Sequence, residues 1–199
     1  MTSTRNKVDG DDAVSGRILD AARELVLTVG VRRTTATDVA RAAGISRMTL
    51  YRRFPDVQRI LAALLTMEFA ALLNDVDAHV HAEKSGRERL VAMAMGVTRR
   101  LGAHPLFARV LETDPEVLLP YVIARTGASQ RNILAALQMG IEQGHDDGSI
   151  RAGDPELAAR MVLMTVQSFV FSSRIIDRES DPDAVLTELA LLLDRYLSP

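Results

Sequence analysis

Apolar residues in this sequence return every three or four positions along almost the whole chain. Nowhere do they alternate with polar residues over a run long enough for a strand. The chain therefore has to fold as packed helices. A first stripe, Ile18, Leu19, Ala22, Leu25, Val26 and Val29, starts near Ser15 and stops at Gly30, a residue suited to the position just past a helix end. The polar residues before it, 1 to 13, read as a disordered arm.

Helix starts and stops divide the rest. Thr35 and Asp38 have the spacing of a capping box and open a short helix that Gly44 breaks. Ser46 is a good N-cap for a second short helix ending at Phe54 and Pro55. Two short helices around a glycine-containing turn make a helix-turn-helix. A long helix follows from Asp56 to about Ala82, then one over Gly86 to Leu101 and a brief one from His104-Pro105 to Glu112. Three further starts share one chemistry: Asp114-Pro115-Glu116, Asp154-Pro155-Glu156 and Asp181-Pro182-Asp183. In each, Asp caps free amides, Pro takes the first helical position, and an acid meets the positive end of the dipole. They predict helices over 115–143, either continuous or broken near Gly127 and closed by Gly140, Gly144 and the 145–148 turn, and over 155–177 and 182–197. The expected architecture is all-α with about nine helices: an arm at 1–13, a three-helix bundle with the helix-turn-helix at 14–56, and a helical body at 57–199.

Charge is distributed unevenly. The total of 24 basic against 26 acidic residues hides eight arginines against three acids between Arg17 and Phe54, so the acidic excess lies in the rest of the chain. A compact basic segment ahead of an acidic body suits a polyanion, because each paired phosphate releases condensed counterions; an arginine-rich solvated surface is the alternative. With no Cys there is no disulfide, thiol nucleophile or Cys-ligated metal. The longest run without a charge, Met161 to Ser173, is 13 residues, short of a membrane span. The first fifteen residues lack the apolar block of a secretory signal. A cytoplasmic chain with no membrane partner is expected.

Within the helix-turn-helix, Val39, Ala40, Ile45, Leu50 and Phe54 are the apolar positions that would pin both short helices to the first. Arg47, Met48, Tyr51 and Arg52 remain for the outer face of the second short helix, with Thr49 at its first turn. A helix fits the major groove of DNA, Arg pairs with guanine or phosphate, and Thr and Tyr hydroxyls suit phosphate oxygens. Arg17 and Arg41 are further phosphate candidates or plain solvated side chains. Enzyme signatures are missing: there is no P-loop, dinucleotide fingerprint, nucleophile elbow or zinc-protease helix. The pairs Asp75/His79 and Asp77/His81 have metal-ligand spacing but point about 200° apart around a helix, so they do not share an ion. No enzyme activity, metal or cofactor is expected, and the rival reading is a helical small-molecule binder or enzyme whose basic head is incidental.

The ordered set Thr34-Thr35, Asp38-Val39-Ala40, Ala43-Gly44-Ile45-Ser46 and Thr49-Leu50-Tyr51 with Phe54 resembles the TetR family of transcriptional regulators, closely over residues 15 to 65. The resemblance implies an all-α homodimer that binds double-stranded DNA at a palindromic operator. It also implies a variable C-terminal ligand-binding and dimerisation domain whose small-molecule effector releases the DNA; repression is the commoner outcome. By position, it makes Thr35, Arg47, Thr49, Tyr51 and Arg52 DNA-contacting, with Ser46 capping or touching phosphate. Two residues depart from the pattern. Met48 stands where Gly is usual, and either packs on a thymine methyl or fills the helix surface. Val57 stands where Lys is common, which removes one phosphate contact.

The last two helices are apolar on more than one face and need burial on two sides, the second of them a twin subunit or the protomer's own core. Met161, Phe169, Leu186, Leu189 and Leu193 are the interface candidates. The effector site would draw on Met67, Met93, Phe107, Tyr121, Met139, Met164, Gln167 and Phe169, apolar walls with few polar groups that suit a hydrophobic or amphipathic molecule.

Overall fold

The computed structural model describes residues 3–80, 85–117, 128–176 and 181–199, and among them every regular element is helical. The helices are α1 (Ser3–Val29), α2 (Ala36–Ala42), α3 (Arg47–Arg53), α4 (Val57–Asp77), α5 (Gly86–Ala103), α6 (Pro105–Thr113), α7 (Ala128–Asp146), α8 (Pro155–Ile176) and α9 (Pro182–Leu197), with a 3-10 turn at Pro115–Val117. The described residues fall into two compact units. One holds α1, α2, α3, α4 up to Ala70, and α6 with its 3-10 turn; the other holds the end of α4, α5, α7, α8 and α9.

In the first unit α1 packs on α2 and α6, and α2 on α3. Ile18, Ala22, Val26, Val39, Ala40 and Leu50 are buried, the residues whose spacing predicts the inner face. The division expected at residue 57 does not match this unit. Ile60, Leu61, Leu64 and Leu65 of α4 and Leu106 and Val110 of α6 are buried within it as well, because α1 with only two seven-residue helices encloses too little apolar surface. The expected arm is also corrected: α1 already begins at Ser3, since residues 3–13 contain no proline and extending an existing helix costs far less than starting one.

A polar seam ties the far end of α6 to the turn after α1. Asp114 is only 2% exposed. Its Oδ2 accepts from the Val31 amide at 2.9 Å and from the Thr113 hydroxyl at 2.8 Å, while Arg32 Nε lies 3.1 Å from Oδ1 and also pairs with Glu116. The Arg32 hydrogen bond holds the Glu116 carboxyl below its ordinary range, and the same pairing raises the Arg32 guanidinium. This changes the role assigned to Asp114. Asp154 and Asp181 cap their helices, accepting from Glu156 and Asp183 amides at 3.0 and 3.1 Å, but Asp114 spends its carboxylate on a segment 83 residues away. The helix expected over 115–143 starts here as a 3-10 turn and resumes as α7; residues 118–127 lie outside the described residues.

The second unit is organised by one apolar cluster in which Leu90 and Ala94 of α5, Ile141 of α7, Ala159 and Val162 of α8, and Leu189, Leu193 and Leu197 of α9 meet Ile150. Gly144 does not end α7, which runs on to Asp146. A Cβ there would lie 2.3 Å from Ile150, and one on Gly86 2.7 Å from the Gly144 backbone, so both glycines allow close approach. Asp147 accepts from the Gly86 amide at 2.7 Å, and Ser85 with Glu88 forms a full capping box at the start of α5. Asp75 pairs with Arg100, and the His79 ring meets the Asp75 carbonyl at 2.6 Å. No described helix is long and apolar enough to cross a membrane.

Candidate nucleic-acid interface

The helix-turn-helix is built from local rules. Thr35 caps α2, its hydroxyl oxygen accepting from the Asp38 amide at 3.2 Å and its hydroxyl donating to the Asp38 carboxylate at 2.5 Å. After α2, the Ile45 amide reaches back to the Ala40 carbonyl at 3.0 Å and the Gly44 amide to Arg41 at 3.2 Å. This double bond pattern needs a left-handed residue, and Gly44 supplies it with φ +65°. Ser46 then caps α3, accepting from the Thr49 amide at 3.1 Å, with its hydroxyl 2.9 Å from that of Thr49. Leu50 buries the inner side of α3 completely, and Arg53 Nη1 donates to Ser15 of α1 at 2.9 Å. One rotation of the helix is thereby fixed.

That rotation sends Arg47, Met48, Tyr51 and Arg52 outward, all exposed, with Thr49 half-buried. Ser46 and Thr35 are exposed caps whose hydroxyls are already engaged with the backbone, so any contact they make to a polyanion is shared with capping. The basic segment is less uniformly available than its composition suggests. Arg23 lies 2.9 Å from Glu68, Arg32 serves the Asp114 seam, Arg41 pairs with Asp38, and Arg33 donates to the Val29 carbonyl at 2.7 Å. Arg47 and Arg52 have no carboxylate partner among the described residues, and neither does Arg17, exposed on α1. Uncompensated charge therefore stands on the outer face of α3, with more at Arg17, Arg33 and Arg59. Val57 is half-buried, whereas Arg59, two residues on and about 200° away around α4, is exposed on a different face of that helix. Arg59 lies past the end of the basic segment, residues 17 to 54, that charge distribution singles out.

The other candidates separate. Met67 and Phe107 belong to the first unit and Met93, Met139, Met164, Gln167 and Phe169 to the second; Tyr121 lies outside the described residues. Met139 and Met164 are 58% and 63% exposed, and Phe169 packs against the apolar cluster. Of the interface candidates, Leu189 and Leu193 are 0% and 1% exposed inside that cluster, so their side chains point into the protomer's own core. Helical spacing reports that a face is apolar, and only packing decides whether it turns inward. Met161 is exposed as expected and Leu186 half-buried, while the large apolar side chains that do face outward on α8 and α9 include Leu157, Met164, Leu191 and Leu192.

The family described as "Bacterial regulatory proteins, tetR family" matches residues 18–64, the stretch that contains the helix-turn-helix. An uncharacterized HTH-type transcriptional regulator of Mycobacterium bovis is 38% identical over 92% of this chain and 93% of its own. Among solved structures, a transcriptional regulator FadR from Bacillus subtilis in complex with stearoyl-CoA aligns with a TM-score of 0.65 at 19% identity, over 91% of this chain and 98% of that one. A SmeT–triclosan complex aligns with a TM-score of 0.68 at 21% identity, over 94% and 92%.

Proposed function

Since the chain belongs to the TetR family of helix-turn-helix transcriptional regulators, we propose that it is a repressor, released from a palindromic operator by a small hydrophobic or amphipathic effector. The observation that carries this reading is the outer face of α3, where Arg47 and Arg52 stand exposed without carboxylate partners among the described residues and Tyr51 lies between them. A guanidinium with no internal partner is available to guanine or phosphate at no cost in broken ion pairs. Arg59 and the Ser46 and Thr35 hydroxyls add phosphate contacts that set register.

A palindromic site requires two heads, and the outward Met161, Met164, Leu191 and Leu192 support a second copy of this chain packed along α8 and α9. The effector class rests on the apolar, methionine-rich composition of the body and on the stearoyl-CoA and triclosan held by the two structural neighbours. No chemistry on that molecule is proposed, and the protein acts in the cytoplasm.

The test is retardation of the DNA upstream of the protein's own gene across a salt series. Binding should fall steeply with salt, and Arg52→Ala should weaken it by about 1–3 kcal/mol if the side chain reads a base, or lower the salt slope by about one if it holds a phosphate. Stearoyl-CoA and triclosan serve as effector probes. An Arg52→Ala protein with unaltered affinity and salt slope would remove α3 from the interface.

A further inference from the structure

One side chain on α3 departs from the chemistry of the face it occupies. Met48 is 79% exposed, next to Arg47 and within one helical turn of Tyr51 and Arg52. It takes no part in holding the head together, since the buried side of α3 is Leu50. Single exposed apolar residues are common on protein surfaces. Met48 is distinguished by its place: the two guanidinium groups beside it draw α3 toward a polyanion, and any surface docked there covers the thioether too. Whatever meets Met48 must present an apolar group inside an anionic setting. Among base-pair edges in the major groove, only the C5 methyl of thymine does so. An unbranched, polarisable side chain with three rotatable bonds can settle on such a methyl without displacing its neighbours' hydrogen bonds.

We infer that Met48 packs against the C5 methyl of a thymine and so sets a preference for thymine at one position of each operator half-site. This rests on the proposal that α3 enters the major groove, and adds to it the base that one residue selects. The polar neighbours fix how the helix lies, and Met48 distinguishes thymine from cytosine, which presents an amino group and no methyl there.

The probe is a duplex that the protein itself enriches from a randomised pool, with each thymine replaced in turn by deoxyuridine, which keeps the pairing and deletes only the methyl. In the parent protein one replacement per half-site should weaken binding about fourfold, equivalent to about 0.8 kcal/mol for one buried methyl group. In Met48→Ala the same replacement should have no effect while the salt slope stays unchanged, and Met48→Leu should restore the penalty. Because Met48 is exposed, both variants keep the parent's fold, which far-ultraviolet circular dichroism checks. Deoxyuridine tolerated at every thymine, or a penalty that persists in Met48→Ala, overturns the methyl contact and leaves the operator reading standing. A protein that enriches no duplex at low salt overturns both.

Discussion

The two compact units leave opposite kinds of surface unsatisfied. In the first, apolar burial is supplemented by polar ties: Asp114 to Val31 and Arg32, Arg23 to Glu68, and Arg53 to Ser15. What remains outside on α3 is cationic. In the second, one continuous apolar cluster holds α5, α7, α8 and α9, and part of what remains outside on α8 and α9 is apolar. The contrast bears on the kind of partner proposed for each surface. Unpaired guanidinium groups suit a partner met and left repeatedly, since the ions they displace return to solution when it goes. Exposed leucine and methionine favour a partner that keeps water away, as a second protomer does.

The sharpest way to break this comparison is to truncate neighbours on α9. Leu189→Ala empties a site in the core and should lower the stability of the chain by about 2–5 kcal/mol in chemical denaturation. Leu191→Ala, on the outward side, should change protomer stability by less than about 0.5 kcal/mol. In sedimentation it should instead shift the population toward monomer. Equal effects from the two would show that α9 is not divided into an inner and an outer face.

An intermediate effect tests the polar seam of the first unit. Asp114→Ala leaves the Val31 amide without its acceptor and Arg32 without its buried partner, for a loss of about 1.5–3 kcal/mol in the same assay. Asp114→Asn keeps an acceptor and should lose less. No loss in either variant would mean that apolar contacts alone hold α6 in its unit.

The smallest effect is on pH and touches both units. The Glu116 carboxyl is lowered by its hydrogen bond from Arg32, and the Asp147 carboxyl by those from the Ser149 hydroxyl and the Gly86 and Ser149 amides. A carboxyl lowered in the folded state stabilises it above the unfolded value and loses that contribution as pH falls through the folded one. Urea midpoints should therefore decline as pH drops below about 4. Arg32→Ala and Ser149→Ala should each flatten part of the decline, and a slope unchanged in both would place the acid sensitivity elsewhere.

The head was legible in the sequence because its signals are local. A cap, a glycine and a buried leucine within twenty residues fix α2, the turn and α3, and with them the outward direction of Arg47, Met48, Tyr51 and Arg52. In the body the same periodicity locates α8 and α9 but not their orientation: the interface candidates Leu189 and Leu193 are buried in the protomer, while Leu191 and Leu192 stand exposed. The Asp-Pro-acid pattern likewise marked Asp114 as a cap, and nothing near it in the chain pointed to Val31 or Arg32.

The sequence by itself determined that the chain is helical, where most helices start, and which family it belongs to, because hydrogen bonds within a helix and at its ends join residues two to five positions apart. Tertiary structure alone decided which apolar stripe turns inward, which arginines are neutralised, and that Asp114 serves the turn after α1. Apart from the local Arg41–Asp38 pair, these are relations between groups tens of residues apart, and they exist only once the segments that carry them have packed together.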